Sequence, residues 1–240
     1  FDTQSLYNTS LHHDDTFWLE FLYSRSEAAG NAERWRSKAA WSGNGMLDYL
    51  IGNAVSRNHV KRTRWLLEHG AQATARHSYS KRNLHTEALL GGFTELGQLL
   101  LDFGAQPEPL DDVHAFHAAC MGGDRDTARR FVEAHPEYLK HPGPMYNASE
   151  ADRTDVVELL LELGVSPNVE HGSWTGLHGC AHNGSVRVAK LLIERGATVD
   201  IREQKYHSTP LGHAVWAGQQ QMVDLLSAVS RDVIALVRSW

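Results

Sequence analysis

The sequence predicts an all-α chain of stacked helix–turn–helix repeats, on three observations. A small residue recurs at one phase. A residue tolerant of positive φ recurs four places later. An apolar stripe, usually closed by glycine, follows seven to nine places after that. With Thr175 as position 1, equivalent starts fall near residues 49, 83, 114, 143 and 209, at spacings of 34, 31, 29, 32 and 34. Such a period signals units that bury a shared core by stacking on their neighbours.

The elements follow in order. Residues 14–24, DDTFWLEFLYS, predict a helix with Asp14 or Asp15 at its N-cap. Residues 26–41 predict a second, and together they read as a degenerate capping repeat within residues 1–45. Six units occupy residues 46–230. Their first helices carry Ala54, Ala88, Ala119, Ala148, Cys180 and Ala214 at position 6, where two helices approach closely. Position 10 holds Asn58, Gly92, Gly123, Asp152, Gly184 and Gly218, the residue types that best accept a left-handed turn. Positions 17–19, such as Leu99-Leu100-Leu101 and Leu159-Leu160-Leu161, form the stripe of a second helix. Gly70, Gly104, Gly164 and Gly196 end that helix in four units. The third unit instead runs EAHPEYLKHPGP, a short loop stiffened by Pro136, Pro142 and Pro144, which predicts a local change of stacking. Residues 231–240 predict a closing helix.

The pattern resembles the ankyrin repeat, whose signature T-P-L-H-x-A recurs near 33 residues. Thr209-Pro210-Leu211-Gly212-His213-Ala214 and Thr175-Gly176-Leu177-His178-Gly179-Cys180 carry it most fully, and the position-4 histidine appears only as His117 and His178. The resemblance implies an ankyrin-like solenoid and a binding module for a protein or peptide segment, held on its concave face and loop tips. It also implies that His178 serves its own turn and points away from the neighbours of His182. Positions 5 and 8 of each first helix would line the concave side. The candidate contact residues are Met121, Asn147, Glu150, His182, His213 and Trp216, joined from the loops by Trp174 and Tyr206. Gly179 would leave a dent between Asn147 and His213. Against this stands a plainer reading, in which Met121 and Trp216 pack on neighbouring helices. The basic loop at Arg76, Lys81 and Arg82 and the acidic loop at Glu108, Asp111 and Asp112 would attract one another.

Composition narrows the function. A formal charge of −6 gives no basic excess for a nucleic-acid partner. The apolar runs are too short to span a membrane. Two cysteines, Cys120 and Cys180, make no disulfide scaffold, so a cytoplasmic setting is expected. No nucleophile elbow, phosphate loop or H-E-x-x-H motif is present, so neither enzyme activity nor a cofactor is expected. Fifteen histidines support one alternative: a small-molecule or metal site, with catalysis as one use of it, around Glu150, His182, His213 and Trp216.

Overall fold

Each position-10 turn has the backbone that its residue type predicts. Asn58, Gly92, Gly123, Asp152, Gly184 and Gly218 all have positive φ. In every hairpin the next residue's amide donates back to the position-6 carbonyl: His59 to Ala54, Phe93 to Ala88, Asp124 to Ala119, Arg153 to Ala148, Ser185 to Cys180 and Gln219 to Ala214. This bond satisfies a carbonyl that the ending helix would leave unpaired, and it fixes where the second helix begins.

The computed structural model describes residues 14–36 and 45–231. The chain divides into two units, Phe1–Leu110 and Asp111–Trp240. The first holds α1 (Phe17–Ala28), a 3-10 turn (Ala32–Trp35), and the pairs α2 (Met46–Ser56) with α3 (Val60–Glu68) and α4 (Leu84–Gly91) with α5 (Thr94–Asp102). Trp35, Leu50, Leu66, Leu84 and Leu100 build its core. The expected helix over 26–41 is absent up to Arg36. The chain turns at Gly30, which has φ 70°, and forms only the 3-10 turn, while residues 37–41 lie outside the described residues. Asp15 accepts from the Phe17 amide at 3.2 Å, at the start of α1. Asp14 does something else: its carboxylate accepts the amides of Lys61 and Arg62 at 3.2 and 3.0 Å, capping α3. Arg62, fully buried, donates to the Asp15 carbonyl at 2.9 Å and ties the same two segments. The opposed loops do attract, since Arg76 pairs with Glu108.

The second unit holds α6 (Asp112–Met121), α7 (Arg125–Ala134), a 3-10 turn (Pro136–Lys140), α8 (Gly143–Glu150) and α9 (Thr154–Leu163). A short hairpin of β1 (Glu170–His171) and β2 (Trp174–Thr175) follows, then α10 (Gly176–Asn183), α11 (Val186–Glu194), α12 (Pro210–Trp216) and α13 (Gln220–Ser227). The first helices α8, α10 and α12 pack side by side, and α9, α11 and α13 form a row of their own. Phe116, Met145, Val156, Leu160, Leu177 and Leu192 lie in their core. No described helix is long and apolar enough to cross a membrane. The closing segment expected at 231–240 lies, beyond Arg231, outside the described residues.

Cap chemistry sets the helix starts. Asp111 accepts from the His114 amide at 2.8 Å, so α6 begins before residue 114 and gains part of a turn. Asp124 accepts from Thr127 at 3.0 Å and starts α7. Asp124→Ala is expected to lower stability through loss of this cap, read as a reduced urea midpoint. An unchanged midpoint would show that the cap contributes nothing.

Candidate functional site

Gly172, at φ 67°, turns the hairpin so that Trp174 pairs with His171 in register. Thr175 then caps α10. Its amide donates to His178 Nδ1 at 3.1 Å, with the hydroxyl 3.0 Å from the same nitrogen. These bonds hold the His178 ring beneath Trp174, with centroids 6.0 Å apart. The Trp174 indole lies 4.3 Å from His213 on α12 and 5.9 Å from His182 on α10. His182 in turn stacks on Trp216 at 5.5 Å and 18°. On the other flank, Tyr146 of α8 stacks on His171 at 4.8 Å and meets Trp174 edge-on at 6.4 Å. A run of rings therefore crosses three neighbouring first helices, ending on Trp216, which is 78% exposed.

One carboxylate edges this run. Gly179 has no side chain, and Glu150 and Tyr146 occupy the space: a Cβ there would lie 3.2 Å from Glu150 Cγ and 3.4 Å from Tyr146. The expected dent is thus filled from α8. Asn183 donates to Glu150 Oε1 at 3.2 Å, and the Tyr146 phenol lies beside this carboxylate. Burial, reinforced by Glu150, pushes the Tyr146 phenol up.

The surroundings disfavour the charged forms of His178 and His213. Burial chiefly, and repulsion from His213, drive His178 down to about 4, against the pull of the Ser208 and Ile201 carbonyls and Glu203. Burial also lowers His213; Glu203 opposes this and His182 adds to it. His182 Nδ1 and His213 Nε2 are buried without a hydrogen-bond partner in the protein. The thiols are inert in the folded chain. Burial pushes Cys120 up to about 12, and Cys180 rises for the same reason while donating to the Ser149 carbonyl at 3.6 Å.

The candidates separate accordingly. Trp174, His182, His213 and Trp216 come together, with Glu150 beside them. His213 is only 7% exposed, so it supports the surface from beneath. Asn147 turns its amide to His117 Nε2 at 3.2 Å. Met121 is fully buried in the unit's core, which overturns its place among contact residues. It is the last residue of α6, and its side chain joins the core beneath the helix pair. Tyr206 is exposed on the following loop, where Lys205 lies 4.8 Å over its ring. That loop is organised by Glu203: burial opposes its charge, but the amides of Ser208, Lys205 and Tyr206 outweigh this and hold it below the usual carboxylate range. His178 does not point away, since its ring is 5.5 Å from His213. Sequence reasoning missed Tyr146 and His171. Tyr146 occupies position 4 of its unit, where the repeat signature has histidine, and that substitution is the only signal it carries. Among the described residues, no group of three or more His, Cys, Asp and Glu stands close enough to hold a metal ion, so Glu150, His182 and His213 do not assemble one.

Residues 145–234 match ankyrin repeats, in three copies. Over 120 residues the chain is 35% identical to ankyrin repeat and SOCS box protein 16 of Homo sapiens, covering 48% of this chain and 26% of that protein. Over 92 residues it is 36% identical to ankyrin repeat and SOCS box protein 11 of Mus musculus, covering 36% and 28%. Over 88 residues it is 33% identical to inversin of Danio rerio, covering 34% and 8%. The chain thus spans little more than a quarter of these relatives at most. With the helical hairpins and their recurring turn, this likeness identifies ankyrin repeats over residues 145–234 of the chain.

Proposed function

We propose that the chain is a non-enzymatic binding module that holds a protein or peptide segment on the first-helix face of the second unit. Ankyrin repeats are in general protein-interaction modules. The observation that carries the reading is Trp216, an indole 78% exposed at the end of a supported row of rings. Exposed tryptophan fixed by packing is the usual composition of a binding hot spot. Trp174 and His182 extend the surface and Glu150 supplies its polar edge. In this reading the array comprises six repeats starting near 49, 83, 114, 143, 175 and 209, between caps at 1–45 and 231–240, and works in the cytoplasm without nucleic acid or membrane as partner.

The test is selection of a random 12-residue peptide library on the immobilised chain, followed by affinity measurement against variants. Trp216→Ala is expected to weaken the selected peptides at least tenfold, as a hot-spot truncation of about 2 kcal/mol or more does. Gln220→Ala, at an exposed position of α13, is the control and should change nothing. Peptides that bind both variants equally would remove this face from the function.

A further inference from the structure

Resting on that reading, we infer that the occupant of this surface is an extended basic segment, with one arginine stacked on Trp216 and a second at Glu150. The charge is argued from the groups present. The rings are indoles, a phenol and imidazoles, and the group that edges them is the Glu150 carboxylate. A carboxylate offers about four acceptor sites, and the bond from Asn183 occupies one. A guanidinium suits both ends, since its plane stacks on an indole face and its N–H fork matches a carboxylate. The same chain already places a cation over an exposed ring twice, Arg25 over Phe21 at 5.3 Å and Lys205 over Tyr206 at 4.8 Å.

The wider field agrees. Residues 111–240 carry 17 Asp and Glu against 12 Lys and Arg, so the unit holding the surface attracts a basic chain. An acidic segment would instead bring its carboxylates against Glu150 in a partly desolvated setting. Geometry adds a spacing. Glu150 lies on α8 and Trp216 on α12, two packed helices along, which is roughly 16–20 Å at ordinary helix separations. The Glu150 side chain reaches part of that way, toward Gly179 and Asn183 of α10. An extended peptide rises about 3.3 Å per residue, so the two arginines fall about four to six residues apart.

The experiment uses the full chain and the same random 12-residue library. Clones that require Trp216 are sequenced, and one is synthesised with a fluorophore for anisotropy. The expected result is enrichment of arginine pairs four to six residues apart. Glu150→Gln, which keeps the shape and the Asn183 contact, should weaken the arginine peptide at least tenfold. Replacing its arginines with citrulline should abolish binding, and lysine should weaken it severalfold. Trp216-dependent peptides that are acidic or uncharged would overturn the inference and leave the surface standing. So would an arginine peptide indifferent to Glu150→Gln. A library yielding only binders indifferent to Trp216→Ala would sink the surface itself, and this inference with it.

Discussion

Between pH 7 and pH 4 the chain is expected to lose about 3 kcal/mol of stability through His178 alone. The ring is fully buried, and its folded pKa is lowered to about 4 from an ordinary 6.5. The unfolded chain therefore binds the proton first. The stabilisation is complete above about pH 6.5 and is lost progressively as pH falls toward 4; at 1.36 kcal/mol per pKa unit the loss is about 3 kcal/mol. A proton forced onto the folded ring meets His213 at 5.5 Å, itself driven down by burial. Urea unfolding at pH 7 and pH 4 measures the loss. His178→Gln should be less stable at pH 7, because the Thr175 cap depends on Nδ1, but should lose far less on acidification. Equal losses in parent and variant would show that His178 does not govern the acid limb.

Phe116→Ala is expected to cost about 3–5 kcal/mol, the range for deleting a buried ring. Phe116 has no exposure, and its ring lies 5.6 Å from Tyr138 and 6.4 Å from Phe131. It thereby anchors the 3-10 turn Pro136–Lys140, the stretch where this unit departs from its neighbours. Phe116→Leu keeps much of the volume and should recover a good part of the loss. The measurement is again the urea midpoint with its slope. A loss below 1 kcal/mol for the alanine variant would mean that the turn repacks around the gap.

What was legible in the sequence was whatever one residue type decides locally. Asn58 and Asp152 stand where the other units have glycine, yet both take positive φ, because short polar side chains tolerate that backbone. The closing glycines Gly70, Gly104, Gly164 and Gly196 behave alike. The ring cluster was only half legible. His182, His213 and Trp216 follow from phase and Trp174 from its place in the loop, but phase assigns His178 to its own turn alone. Its ring serves both tasks, because Trp174 arrives from the hairpin and His213 from the next repeat, and spacing within one helix says nothing of either. Tyr146 was hidden for the same reason. Met121 failed differently: a helix-end residue at the expected phase turned inward, since phase gives a direction and the packing of the whole unit decides what lies there.

The two buried thiols give this chain an internal clock. Thiolate is the reactive form, and neither Cys120 nor Cys180 ionises or meets solvent while its helix stays packed. Alkylation therefore waits for the helices to part. The two cysteines lie in separate hairpins, α6 with α7 and α10 with α11, so their individual labelling rates distinguish an array that opens one repeat at a time from one that opens as a block.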